Sequence, residues 1–422
     1  MIEIKPVEHI DAVVTIPGSK SITQRALITA ALADGASTLH GPLVSEDTDY
    51  SSAALQQMGI DIDKGTQSWR VSGTGGRISE PDNDIYLGNN GTATRFLTSV
   101  ASLGTGEFII DGDVRMRERP IGPLMAALKG WGVDIESIAD TGCPPLSIIA
   151  SGLRGGKTVL PEGKSSQYLS SLLLVAPYAE RQAELQVDGE IISKPYVAMT
   201  LEVMATFGVE VGAAADFSRF TIPGGCYLPC DYHIEGDASN ASYFWAAAAV
   251  SGGSVTVNNV PVLSLQGDTM LVPLLARMGS RVEQQGRGIK VVGPQTLESI
   301  TADMGDMPDV VPTLAVVAAF AEGASEISNI AHLRVKECDR LSATTSELRK
   351  LGVAVDEFDD RMVIHGRGGA GMHGAEIETY EDHRMAMSMA VAGLRVKGVK
   401  ILNENCVVKS FPDFWECFAR LY

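Results

Sequence analysis

Five stretches of this chain set cations beside polar groups in a way that could handle an anion. The first is Pro17-Gly18-Ser19-Lys20-Ser21-Ile22-Thr23-Gln24-Arg25, lying between a β-branched run at 13–16 and an apolar run at 26–32. That order reads as strand, tight turn and helix N-terminus, where unpaired amides and the positive helix end attract an anion. Lys20 and Arg25 add full charges. In the second stretch, Arg115-Met116-Arg117-Glu118-Arg119-Pro120, three Arg at alternate positions would line one side of an extended segment. The third is Arg334-Val335-Lys336-Glu337-Cys338-Asp339-Arg340. On a helix, Lys336 and Arg340 share a face, with Glu337 three residues before Arg340. Asp382-His383-Arg384 and Lys409 complete the set. Glu337 and His383 are of the types that move protons beside a bound anion. Each motif alone also fits a helix cap or a solvated charged face.

Recurrence changes that balance. A polar loop, an apolar helix and a β-rich run begin near Ser19 and return near Asn90, Lys164, Asp237, Asp309 and Asp382, at a spacing of roughly 70 to 74 residues. Five of the six copies carry a second helix that ends in an apolar residue, a Gly and, usually, a β-branched residue. These endings are Met58-Gly59-Ile60, Trp131-Gly132-Val133, Phe207-Gly208-Val209, Met278-Gly279-Ser280 and Leu351-Gly352-Val353. Gly there predicts a left-handed helix C-cap. The repeat is loop, helix, strand, helix, strands, and the break near Ile234-Glu235-Gly236 divides six copies three and three.

Composition restricts the partners. With 52 acidic against 34 basic residues the net charge is −18, which disfavours nucleic acid or an anionic membrane. An anionic ligand must then find a local basic pocket. No apolar run approaches the ~18 residues of a membrane span. The six cysteines are mostly scattered, and the start Met-Ile-Glu-Ile-Lys lacks a signal-peptide core, so the expected setting is a reducing cytoplasm. Cys226, Cys230 and His233 stand close together, but no second ligand pair sits at zinc-finger spacing, and no metal is expected.

Together these stretches resemble the EPSP synthase (3-phosphoshikimate 1-carboxyvinyltransferase) family of enolpyruvyl transferases, over essentially the whole chain. The landmarks are Pro17-Gly18-Ser19-Lys20-Ser21, Gly88-Asn89-Asn90-Gly91-Thr92-Ala93, Arg117-Glu118-Arg119-Pro120-Ile121-Gly122 and Lys164-Ser165-Ser166-Gln167. They continue with Ser193-Lys194-Pro195-Tyr196, Glu235-Gly236-Asp237-Ala238-Ser239, Arg334 to Arg340, and Asp382-His383-Arg384-Met385-Ala386. The resemblance implies an α/β fold of two domains, a two-domain inside-out α/β barrel of six βαβαββ repeats. Three repeats fall in each domain, with the active site in the interdomain cleft. It divides the chain into 1–18 plus 236–422, and 19–235.

The implied reaction moves the enolpyruvyl group of phosphoenolpyruvate to the 5-hydroxyl of shikimate 3-phosphate, releasing phosphate, with no metal and no organic cofactor. The partners are these small molecules, with no nucleic acid and no membrane, and the protein is expected to act as a monomer. The two substrates carry about five to six negative charges, which calls for many cations. Carried over by motif, Ser165, Ser166, Ser193 and Lys336 hold the phosphate of shikimate 3-phosphate. Arg25 and Ser21 take its carboxylate end, and Gln167 and Tyr196 bracket its ring. Phosphoenolpyruvate lies on Lys20, Gly91, Arg119, Arg340, Arg384 and Lys409, with Gln167 beside it. Asp309 accepts the 5-hydroxyl proton and Glu337 shuttles protons at C3, assisted by Lys20 and His383. Either Lys20 or Glu337 could supply the proton to C3.

Three positions depart from the family pattern: Asn90 where Ala often precedes Gly91, Phe96 where Pro is frequent, and His332 where some members have Asn. The first two are expected to flank the phosphoenolpyruvate pocket. Glyphosate sensitivity is expected, because Gly91 leaves room that a methyl would fill. The sister enzyme acting on UDP-N-acetylglucosamine commonly carries a reactive Cys just before an Arg-Pro pair, and no Cys precedes Arg119-Pro120 here. A non-catalytic repeat scaffold would not require Asp309, Glu337 and His383 to accompany the cations.

Overall fold

The computed structural model describes residues 1–162 and 165–422, so Lys164 of the third loop lies outside the described residues. Five of the six repeated loops open helices within two residues of the anticipated position. These are α1 (Lys20–Leu32), α2 (Gly91–Ala101), α3 (Ser166–Val175), α4 (Ala238–Ser251) and α6 (His383–Gly393), with Ser19, Asn90, Ser165, Asp237 and Asp382 at the N-caps. The fifth loop differs. There α5 (Val311–Ala319) follows a 3₁₀ turn, Pro308–Val310. Pro308 fixes φ and Pro312 lacks an N–H, so both fit only a first turn. All six helices are buried on nearly every side; in α1 every residue from Ile22 to Leu32 is buried. Helices apolar all round belong in a core.

The second helices are Glu46–Gln57, Gly122–Gly130, Lys194–Thr206, Leu271–Arg277 and Arg340–Lys350. Gly59, Gly132, Gly208, Gly279 and Gly352 follow them with φ from 87° to 104°, the left-handed cap that their position predicts.

The chain forms two compact units. One, the split unit, joins Met1–Pro17 to Glu235–Tyr422, and the continuous unit is Gly18–Ile234. The described strands form six open sheets of three to five strands. In the continuous unit, Ile85–Tyr86, Thr105–Asp111, Leu146–Ser151 and Asp134–Ser137 lie side by side in that order, the first pair parallel and the rest antiparallel. Gly155–Leu160, Arg181–Val187, Arg219–Ile222 and Gly212–Ala213 repeat the pattern. The first repeat departs from its sequence order. The strand before α1, Asp11–Val14, pairs with Ser254–Val257 in the split unit, and Asp231–His233 takes its place beside Asp34–His40. Likewise Ile2–Glu3 pairs with Lys400–Ile401. Asn259 ends this arrangement by accepting from the Ile16 amide at 3.1 Å and donating to its carbonyl at 2.7 Å. Among the described residues no helix is long and apolar enough to cross a membrane.

Candidate active site

In the continuous unit the residues at the starts of α1, α2 and α3 are held by buried polar neighbours. The Ser19 hydroxyl accepts from the Ile22 amide at 3.4 Å, which leaves Lys20 on the first turn, 3.0 Å from Asp47. One turn on, Arg25 is fully buried. Its Nε donates to Thr200 Oγ1 at 2.7 Å, and its two Nη atoms donate to the Ser21 carbonyl, Ser170 Oγ and the Tyr196 carbonyl. Burial pulls its pKa down to about 10, so it stays charged at pH 7. Phe96 lies under that guanidinium at 5.2 Å. Phe96 thus packs with Arg25 and not beside Gly91, because five helical residues turn it about 140° away. Asn90 also points inward. Its Oδ1 caps the Ala93 amide at 2.9 Å and its Nδ2 donates to the Asp47 carbonyl at 2.6 Å.

Arg119 donates to Asn89 Oδ1 at 3.0 Å, and its guanidinium covers Gly91. A Cβ built on Gly91 would stand 2.5 Å from Arg119 Nη2, so the space above this glycine holds the guanidinium itself. The three Arg at alternate positions do not share a side. Met116–Glu118 is a 3₁₀ turn, which sends Arg115 to Glu118 and Arg117 to Asp111 at the surface while Arg119 turns inward. Gln167 Nε2 donates to Thr92 Oγ1 at 3.0 Å, joining α3 to α2. Ser193 precedes Lys194–Thr206 with φ 58°, a left-handed backbone rare outside Gly and Asn. Ser21 and Tyr196 stand beside Arg25, and Ser165 and Ser166 open α3.

In the split unit the charges form one network. Arg340, 1% exposed, donates through Nε to Asp382 at 2.7 Å, through Nη1 to Asp309 at 2.9 Å and through Nη2 to Glu337 at 2.8 Å. The other Asp309 oxygen accepts from Arg384 Nη2 at 2.8 Å, and Arg384 Nη1 donates to Tyr243 OH at 3.2 Å. Burial alone would lower both guanidinium pKa values. Asp382, Glu337 and Asp309 instead hold Arg340 well above the usual range, and Asp309 leads the groups that do so for Arg384. Burial raises the Tyr243 phenol to about 12. The Arg384 Nε is buried with no hydrogen-bond partner among the described residues. Asp382 also caps α6 through the Arg384 amide at 2.9 Å. Next to it His383 is fully buried, its Nδ1 3.8 Å from Asp382 Oδ1.

Lys336 and Arg340 do not share a helix face. Asp339 caps the helix that begins at Arg340, accepting from the Ser342 amide at 3.0 Å, so Lys336 lies upstream in extended backbone. The spacing anticipated for Glu337 and Arg340 does form a contact. Lys409 is buried at the end of the 3₁₀ segment Glu404–Lys409, and the adjoining Ser410 carbonyl accepts from Asn240 of α4 at 3.3 Å. His332 is pushed down to about 3, chiefly by burial and then by Lys336. It is neutral at pH 7, and its buried Nε2 has no partner among the described residues.

The structure thus gathers Lys20, Ser21, Arg25, Gly91, Arg119, Ser165, Ser166, Gln167, Ser193 and Tyr196 in one unit. Asp309, Lys336, Glu337, Arg340, His383, Arg384 and Lys409 fall in the other. Sequence reasoning missed Asp47, Asn89, Ser170, Thr200 and Tyr243. Asp47 carried a signal that misleads: it is one of three acids in the first turn of Glu46–Gln57, where a carboxylate usually answers only the helix dipole. Cys226 lies 3.5 Å from Tyr178 OH, and His233 stacks on His40 with centroids 4.4 Å apart. Among the described residues no group of three or more His, Cys, Asp or Glu could hold a metal ion.

Comparison with known proteins agrees in every direction. The family model for EPSP synthase (3-phosphoshikimate 1-carboxyvinyltransferase) matches residues 4–418. A 3-phosphoshikimate 1-carboxyvinyltransferase of Trichormus variabilis is 44% identical over 415 residues, covering 98% of this chain and 96% of that one. The Syntrophobacter fumaroxidans enzyme of the same name is 44% identical over 419 residues, 99% of each chain. The chloroplastic form from Arabidopsis thaliana is 40% identical, covering 100% of this chain and 84% of its own. A solved EPSP synthase from Acinetobacter baumannii superposes with a TM-score of 0.83 at 28% identity, over 99% of this chain and 97% of that one. With its profile matched almost end to end and relatives of one name along its full length, the chain belongs to the EPSP synthase family.

Proposed function

We propose that the chain transfers the enolpyruvyl group of phosphoenolpyruvate to the 5-hydroxyl of shikimate 3-phosphate. The products are 5-enolpyruvylshikimate 3-phosphate and phosphate, on the route to chorismate and the aromatic amino acids. The observation that carries this reading is the full-length family match together with the cations at helix starts in both units. The fold would be the two-domain inside-out barrel of the family, divided at 1–18 plus 236–422 and 19–235, working as a cytoplasmic monomer. Its two half-sites would complete one another across the cleft.

Ser165, Ser166, Ser193 and Lys336 would hold the phosphate of shikimate 3-phosphate, with Arg25 and Ser21 at its carboxylate and Gln167 and Tyr196 about the ring. Most Arg25 donors already serve the protein, so Arg25 would act on that carboxylate chiefly through its charge. The His332 Nε2, which has no partner among the described residues, suits a ring hydroxyl. Phosphoenolpyruvate would lie on Lys20, Gly91, Arg119, Gln167, Arg340, Arg384 and Lys409. The Arg384 Nε, which has no acceptor among the described residues, supports this reading, since a buried donor without an acceptor costs about 1–3 kcal/mol until a ligand supplies one.

The chemistry is addition and then elimination through a tetrahedral intermediate. The 5-hydroxyl oxygen bonds to C2 of the enol while its proton passes to Asp309, and C3 gains a proton from Lys20 or Glu337, with His383 assisting. In the second half C3 returns a proton and the C2–O bond to phosphate breaks. Asp309 now bridges Arg340 and Arg384. An arriving anion would compete for both guanidinium groups and free a carboxylate oxygen for the hydroxyl.

The deciding experiment measures phosphate release from phosphoenolpyruvate with shikimate 3-phosphate or UDP-N-acetylglucosamine as acceptor. Release with the first alone is expected. Release only with the second, or with neither, would overturn the reading.

A further inference from the structure

Asp268 takes no part in the roles assigned above, yet it is built into the same half-site. It is 3% exposed and lies on the short turn Gly267–Met270, which packs against the start of α4. Ser239 Oγ, in the first turn of α4, donates to its Oδ2. The residue before the turn, Gln266, accepts from the Ala238 amide at 3.0 Å and donates to Glu235 and the Gly236 carbonyl, each at 2.8 Å. Asp268 therefore sits on a braced segment. The groups that act on its carboxyl are Asp237 and Ser239 at the start of α4, Asp309 on the turn Pro308–Val310, and Arg384 of α6.

We propose that Asp268 is a positioning residue for the anion half-site, bracing the first turn of α4 through Ser239 and opposing anions at Arg384 when it is ionised. This deepens the enolpyruvyl-transfer reading of the same half-site and rests on it. Burial, and then Asp309, push the Asp268 carboxyl up to about 7, against the pull of Arg384 and Ser239. Below that pH it is neutral, and the cations around Arg384 face the ligand with one negative charge fewer beside them. Above it, one more negative charge repels the ligand.

The test uses the full-length protein and inorganic sulfate, whose charge does not change between pH 5.5 and 8.5, with binding followed by calorimetry. Wild type should lose about fivefold in sulfate affinity across that range, and Asp268→Asn, which cannot ionise, should give a flat profile. Ser239→Ala removes a hydrogen bond that favours the ionised form, so the pH at which affinity falls should move upward. A wild-type profile as flat as that of D268N, or no sulfate binding at any pH, would overturn the proposal. So would an S239A midpoint unmoved from wild type. The phosphate-release assay judges the reaction separately: an inactive wild type that still shows the sulfate profile would sink the reaction and leave Asp268 standing.

Discussion

Gly91 lies directly under the Arg119 guanidinium, and this contact decides what a methyl there would do. The three atoms nearest the added Cβ all belong to the movable end of Arg119, so the fold can absorb Gly91→Ala while the guanidinium cannot keep its place. The KM for phosphoenolpyruvate should rise about tenfold, as for a lost charge-assisted hydrogen bond. The unfolding midpoint should move little, and inhibition by glyphosate, to which the family is sensitive, should weaken in parallel. An unchanged KM in initial-rate kinetics would show that Arg119 does not touch that substrate. Asp268 gives the second prediction at this scale. Its carboxyl pKa is about 7 in the folded chain against 3.8 for the free side chain. The raised value means its favourable contribution is present in acid and is lost as pH rises through 7. D268N should therefore gain more in Tm over wild type at pH 8 than at pH 5.5.

The helix start is the element on which the site is built, and its cap serves two purposes. Asn90 closes the first turn of α2 through the Ala93 amide and ties that turn to Glu46–Gln57 through the Asp47 carbonyl. The same Asp47 pairs with Lys20. An Ala at this position, common in the family, would keep the helix but give up both links. Asn90→Ala should cost about 1–3 kcal/mol in urea unfolding. A midpoint equal to wild type would mean that water replaces the cap at no cost. In α6 the cap and the charge network share one carboxylate, because Asp382 accepts from the Arg384 amide and from Arg340. A buried ion cluster broken on one side is expensive, about 3–5 kcal/mol, so Asp382, Arg340 and Asp309 stand or fall together.

At the scale of the molecule, each unit borrows or returns strands across the sequence. Asp11–Val14 supplies the parallel edge of the Ser254–Val257 sheet, where the Ser254 amide donates to the Ile10 carbonyl at 2.7 Å and the Asn258 amide to Val14 at 3.1 Å. Removing residues 1–14 should therefore cut hydrogen-exchange protection at Ser254–Val257 and Lys400–Ile401 by about tenfold or more. Asp34–His40, whose edge is Asp231–His233, should keep its protection. Equal loss in both places would mean that the two units do not hold their sheets independently.

The sequence by itself determined the repeat, five of the six helix starts, the five glycine caps and the family, because capping residues, left-handed glycines and apolar runs act through neighbours a few positions away. It also paired Glu337 with Arg340, a contact within one turn. Tertiary structure alone decided which strand completes the first repeat, since Asp231–His233 lies about 200 residues from its partner and edge pairing leaves no local mark. It likewise decided that Phe96 supports Arg25, that Arg119 fills the space over Gly91, and that Asp268 meets Ser239 at the start of α4. Those contacts depend on helix phase and on the packing of distant segments, and burial then sets the charge each group carries.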